Sequence, residues 1–154
     1  MAEEHVAPLA DARVRTHTGQ MGGLDFWIGS WGVTWEGGHG TNTVTLEMGG
    51  RVITERFEAL EPERFSGLSV SVLGPDDVWR QTWVDSIGDY WHFEGGPQDD
   101  GTFVFATPGK VDADQMYKRM VFSEISPDGF SWRWEFSDDR SAWEPRWAIA
   151  YRRV

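Results

Sequence analysis

Large apolar residues follow two spacings in this chain, and residues 24–35, LDFWIGSWGVTW, hold both. Phe26, Trp27 and Ile28 are contiguous and form one apolar knot, with Asp25 placed to cap a short helical turn and Gly29 to end it. From Ser30 onward Trp31, Val33 and Trp35 alternate with Gly32 and Thr34, the period of two that marks a strand with one buried face. An apolar turn running directly into a Trp-rich strand predicts a plug that closes one end of a barrel while the strand begins its wall.

The alternation then repeats to the end of the chain. GGHG at 37–40 reads as a turn, and 41–48 sets Val44, Leu46 and Met48 against Thr43 and Thr45. Gly49-Gly50 is a hairpin signal leading into a strand over 51–60, which EPER at 61–64 breaks. Residues 65–73 alternate Leu68, Val70 and Val72 with Ser69 and Ser71. Strands follow over 78–85, 89–94 and 102–106, between turn-rich segments, and 107–114 is a loop. Residues 115–125, 130–137 and 146–153 complete the series; in the second of these Phe130, Trp132, Trp134 and Phe136 oppose Ser131, Arg133 and Glu135. Ten strands in succession and no helix of substance after residue 30 predict an all-β, up-and-down antiparallel meander, and closing it into a barrel removes the two edges an open sheet would expose. A two-sheet sandwich is the alternative. Residues 24–154 form the barrel domain, and residues 1–23 are expected as a flexible or loosely docked arm.

A chain of 154 residues fits one domain with a real core, and its ten Trp and nine Phe, more than is ordinary, either pack the barrel and its hairpins or in part line a cavity. A barrel of eight to ten strands has room for one small ligand, and surplus aromatics suit the wall of such a cavity. The net charge of −11 argues against nucleic acid and against an anionic membrane surface as partners. With no cysteine there is no disulfide, thiol nucleophile or thiolate metal site. Residues 1–16 lack a basic start followed by an apolar core, and no apolar run approaches the length of a membrane span, so a cytoplasmic setting is the expectation.

Familiar catalytic motifs are missing. No glycine cluster lies between a strand and a helix to hold phosphate, there is no Gly-x-Ser-x-Gly, and the four His stand singly without metal-ligand spacing. Chemistry therefore rests on isolated polar residues within strands. In 78–85, Trp79, Gln81, Trp83 and Asp85 share one face and Val78, Arg80, Thr82 and Val84 the other. The first set reads as a cavity wall with one polar handle, Gln81; the alternative turns Val78, Thr82 and Val84 inward. Asp85, at the strand end, suits a turn acceptor. In Tyr90-Trp91-His92-Phe93-Glu94, either the aromatic pair faces the core and His92 is solvated, or the polar trio faces inward and His92 can bind a ligand or shuttle a proton. Glu55 shares a face with Ile53 and Phe57, and is either a barrel-interior acid with a raised pKa or an exposed residue.

Asp25-Phe26-Trp27-Ile28-Gly29-Ser30-Trp31 resembles the Asp-Phe-Trp-x-Gly-x-Trp opening of a bacterial family of unknown function among the calycin-like barrels, a group that includes lipocalins, fatty-acid-binding proteins and haem-binding nitrobindins. Gln81-Thr82-Trp83-Val84-Asp85-Ser86 resembles that family's mid-chain strand. The resemblance implies a ligand-enclosing barrel from about residue 24 to the C-terminus. Acyl-chain binders of this group hold a carboxylate with interior Arg and Tyr, which makes Arg119, Arg133 and Arg152 candidate partners for Glu55. Tyr151-Arg152 is a partial match, in reversed order, to their Arg-x-Tyr arrangement. A nitrobindin-like haem would need an axial His, for which His92 is the mid-strand candidate, although the Gly-rich opening of that family is missing. No cofactor is expected, with haem as a minor alternative.

The reading is a barrel that binds a small, hydrophobic or amphipathic molecule in an aromatic-lined cavity. Trp31, Trp35, Phe57, Trp83, Trp132 and Trp134 are its expected walls, with Glu55, Gln81, His92 and Tyr151 as polar handles. Two alternatives stand beside it: an enzyme of the cyclase, isomerase or hydratase kind, in which Glu55, His92 or Tyr151 moves protons, and a ligand-free homodimer with surplus Trp between protomers.

Overall fold

A computed structural model describes residues 20–154. Most of the expected arm, residues 1–19, with His5 and His17, lies outside the described residues.

The described residues form ten strands: β1 (Gly29–Trp35), β2 (Gly38–Glu47), β3 (Val52–Glu61), β4 (Phe65–Leu73), β5 (Trp79–Asp85), β6 (Tyr90–Pro97), β7 (Phe103–Ala106), β8 (Tyr117–Ser123), β9 (Gly129–Ser137) and β10 (Glu144–Arg153). Each pairs antiparallel with its neighbours in sequence, and β10 returns to pair with β1 from Trp31↔Arg153 to Thr34↔Ala150. The sheet is thus a closed barrel, as the alternation predicts, and not a sandwich. Its strand order is the expected meander. Two boundaries move by three residues: β6 runs on to Pro97, and β2 begins at Gly38, because Trp35 pairs with Gly38 and Glu36-Gly37 alone make the turn.

Short 3-10 turns at Gln20–Gly23 and Asp25–Trp27 close one end. Asp25 is the first residue of its turn and not its cap. Leu24 precedes it with no side-chain bond, and the turn is held by Trp27 N–H to Leu24 O (3.2 Å) and Ile28 N–H to Asp25 O (3.2 Å). Gly29 opens β1 instead of ending the turn; its φ of 147° favours glycine, and the Arg153 guanidinium packs where a Cβ would lie. Phe26 inserts edge-on among Phe103, Phe122 and Phe130, at centroid distances of 6.4, 5.8 and 5.5 Å. Arg153 donates to the carbonyls of Phe26 (3.3 Å) and Ile28 (2.9 Å), so the last strand ties down the plug. Trp31 Nε1 donates to Trp27 O at 2.9 Å from inside the barrel.

The faces hold one reversal. In β4 the serines point inward: Ser69 and Ser71 are fully buried, whereas Val70 and Val72 are 40% and 41% exposed. Register explains this, since Ser69 lies between Glu55 and Trp83, and Ser71 beside Gln81, where short hydroxyls reach polar partners and leave room for the rings. In β5 the Trp79 and Gln81 side is the buried one, and Trp79 Nε1 donates to Gly22 O at the plugged end. Among the described residues no helix is long and apolar enough to cross a membrane.

Candidate functional site

Because β5 begins at the plug and ends at Asp85, the rim lies where β5 ends and β6 begins. Between plug and rim the barrel encloses a cavity of about 160 Å³. Trp27 and Phe122 line it toward the plug, Phe93, Met120, Trp132 and Ile149 along one side, and Phe57, Phe65, Trp83, Trp91, Trp134 and Trp147 toward the open end, where Asp85 and Asp89 also reach it. The aromatic wall is internally braced: Trp134 meets Trp91 and Phe93 edge-on at 5.7 and 5.8 Å, and Trp132 meets Trp147 at 5.8 Å.

One stretch of the wall is polar. Glu55 occupies the inner face of β3 and is 7% exposed. Its Oε2 accepts from Asn42 Nδ2 at 2.6 Å, and its Oε1 from Ser69 Oγ at 2.7 Å. Asn42 Nδ2 also donates to the Tyr151 hydroxyl at 3.0 Å, so the chain Tyr151–Asn42–Glu55–Ser69 crosses β10, β2, β3 and β4. Burial pushes the Glu55 carboxyl up to about 6 from its ordinary 4.5, against the pull of the Ser69 and Asn42 hydrogen bonds. Burial and then the Glu55 charge push the Tyr151 phenol well above its ordinary 10, so it keeps its proton at any physiological pH. Behind this wall Gln81 Nε2 donates to Ser71 Oγ at 2.9 Å. Among the described residues three buried polar atoms have no partner: Asn42 Oδ1, Gln81 Oε1 and Trp27 Nε1.

At the rim Asp85 accepts from Trp83 Nε1 (2.9 Å) and from the N–H groups of Ile87 (3.1 Å) and Asp89 (3.0 Å), the turn-acceptor role its position implies. Lys118, on the inner face of β8, lies with its ammonium 4.7 Å from the Trp91 ring centroid and 4.2 Å from that of Phe136, while pairing with Asp112 (2.8 Å) and Asp114 (3.2 Å). Burial, with Asp85 and Asp112 nearby, raises the Asp89 carboxyl.

The sequence matches no protein-family model and no curated protein. The closed ten-strand antiparallel barrel is consistent with a calycin-like fold, which is the part of the resemblance that the structure bears on.

Of the residues singled out in the sequence, Glu55, Phe57, Trp83, Trp132, Trp134 and Tyr151 line the cavity. Trp31 lies below it, packed on Phe130 (5.0 Å) and Tyr151 (6.1 Å), and Trp35 sits behind the lining against Trp147 (5.2 Å). Gln81 is buried in the wall without reaching the cavity. His92 corrects the inward alternative: the Trp91–Phe93 face is the inner one, and His92 is on the outside, 44% exposed, with Nε2 3.4 Å from Glu94. The residues therefore do not fit a haem held from within by His92. The arginine partners also require correction. Arg119 and Arg133 pair with Glu135 on the outer face, at 2.8 and 3.3 Å, and Arg152 is exposed. Neutral Asn42 and Ser69 serve Glu55 in their place. Among the described residues no cluster of His, Asp and Glu could hold a metal ion.

Asn42, Ser69, Trp91, Trp147 and Lys118 were not singled out by the sequence. Asn42 had a signal, since it continues the Val44–Leu46 face by one step, and Trp147 alternates with Ile149 and Tyr151. Ser69 had none, because an apolar-inward reading of β4 puts it outside.

Proposed function

We propose that the barrel binds one small, largely apolar molecule with a polar end. The observation that carries this reading is a cavity with two kinds of lining: six of the ten Trp line it, and Glu55 and Tyr151 also reach it, joined through buried Asn42. Such pockets gain affinity from apolar area and orientation from a few fixed polar groups. The volume sets the size. An apolar cavity of about 150 Å³ takes one benzene, so a single ring with a short substituent fits. The cytoplasmic setting expected from the sequence belongs to this proposal.

Isothermal titration calorimetry with 2-phenylethanol, beside native mass spectrometry of freshly purified protein, tests it. Saturable heat at one site per chain, or a co-purified mass of one small molecule, supports the reading; neither heat nor bound mass overturns it.

One observation favours an acid–base enzyme as a second reading: Glu55, held near 6, and protonated Tyr151 face the same cavity. Glu55→Gln separates the two. A binder still takes up the neutral probe, with altered affinity only, whereas an enzyme binds its substrate and no longer turns it over.

A further inference from the structure

We propose that the ligand is an organic cation, a protonated amine on an aromatic ring or short hydrophobic chain, whose ammonium pairs with Glu55 while its apolar part lies among the tryptophans. This rests on the reading of the barrel as a binder and adds the ligand's charge.

The first observation is the uncompensated acid. Each Glu55 oxygen accepts one hydrogen bond, from Asn42 and Ser69, both neutral. Among the described residues no basic side chain lines the cavity, and the arginines that might have served are held by Glu135 on the outer face. A buried carboxylate without a cation is costly, and a ligand ammonium supplies both the charge and further N–H donors. Beside it Asn42 Oδ1, on the side chain that serves Glu55, has no donor.

The second observation is the lining itself. Indole faces are the best side-chain partners for a cation, and the protein already uses one so, with the Lys118 ammonium over the Trp91 ring that lines the cavity. Lys118 does not neutralise Glu55, because Asp112 and Asp114 hold its Nζ at the rim. The third is the approach. Asp85 and Asp89 reach the open end and the whole chain carries −11, a field that draws cations in and repels carboxylates. An acid such as the acyl chains bound by the barrels this one resembles would set its carboxylate against Glu55. Trp27 Nε1, the unpartnered donor, is uncharged and leaves room for one neutral oxygen on the ligand.

Three probes of matched shape test this by calorimetry on the full chain at neutral pH and low salt: 2-phenylethylamine as cation, 2-phenylethanol as neutral, phenylacetate as anion. The amine is expected to bind about 10-fold or more tighter than the alcohol, and phenylacetate weaker than both. Glu55→Gln is expected to bring amine and alcohol within about 3-fold of each other, chiefly through loss of the amine's affinity. An amine no tighter than the alcohol in the native protein overturns the cation assignment and leaves the binder reading standing; no binding by any of the three overturns the binder reading itself. If Glu55→Gln fails to fold, the native protein still decides through pH. The amine's advantage should shrink as pH falls through about 6, where Glu55 takes up its proton. The groups packed on Glu55 are neutral Asn42 and Ser69 and the Tyr151 phenol, which keeps its proton in this range, and Asp89→Asn removes the rim acid whose carboxyl is also raised. An advantage unchanged across that pH range, or one that loses its pH step in Asp89→Asn, overturns the pairing with Glu55.

Discussion

The Asn42 amide donates to Glu55 Oε2 at 2.6 Å and to the Tyr151 hydroxyl at 3.0 Å, so a single side chain bridges an acid on β3 and a phenol on β10. Asn42→Ala removes both bonds and leaves buried acceptors. Stability is expected to fall by about 1–3 kcal/mol in urea denaturation. Because the Asn42 bond lowers the Glu55 pKa, its loss should raise that pKa further above about 6, which a carboxyl-carbon NMR titration reads directly.

Glu55 makes stability fall with pH. Its proton is held to about 6 in the folded protein and to about 4.5 when exposed, so the folded state binds it more tightly. That stabilisation is complete below about 4.5 and is lost as pH rises through about 6. The difference of roughly 1.5 pH units corresponds to about 2 kcal/mol. The stability of Glu55→Gln minus that of the native protein should therefore rise by about 2 kcal/mol between acid and neutral pH, measured by denaturant midpoints, with other titrations cancelling in the difference.

Two buried tryptophans of the plug region should respond unequally to the same change. Trp31 Nε1 donates to Trp27 O, whereas Trp27 Nε1 has no partner among the described residues. Trp31→Phe strands a buried carbonyl and Trp27→Phe removes an orphan donor, for the same loss of volume. Trp31→Phe is expected to cost about 1–2 kcal/mol more in thermal or chemical unfolding.

Gly67 fixes the rim of the cavity. A Cβ there would meet the Trp83 ring at 2.0 Å, and that ring is held by Phe65 (6.4 Å, stacked) and by the bond to Asp85. Gly67→Ala should displace Trp83, cost about 1–3 kcal/mol and weaken binding of the 2-phenylethanol probe. A crystal structure or Trp83-resolved indole NMR signal locates the movement.

The strands were legible because turn residues punctuate a period of two, and each run of alternation became one strand. The faces were legible only where one side outweighs the other. Trp79, Gln81 and Trp83 resolve correctly on the strength of their rings, but in β4 the valines outweigh the serines and the apolar rule fails, since Ser69 is needed by Glu55. Glu55 could not be settled locally at all: its partners stand 13 and 14 residues away, and only strand register brings them to it. For the same reason the arginine partners implied by resemblance failed. Their strands show those side chains to the outside.

Every neighbouring pair in the sheet joins successive strands except β1 with β10. During synthesis the hairpins can form in the order in which they leave the ribosome, while the one long-range pairing waits for β10. Tyr151 and Arg153 arrive with that last strand, so the polar chain to Glu55 and the clasp on the plug form together. Until then the Trp-rich inner face is a curved, open sheet with two unpaired margins, and the nascent protein's exposure to wrong association is concentrated in the interval before β10 docks.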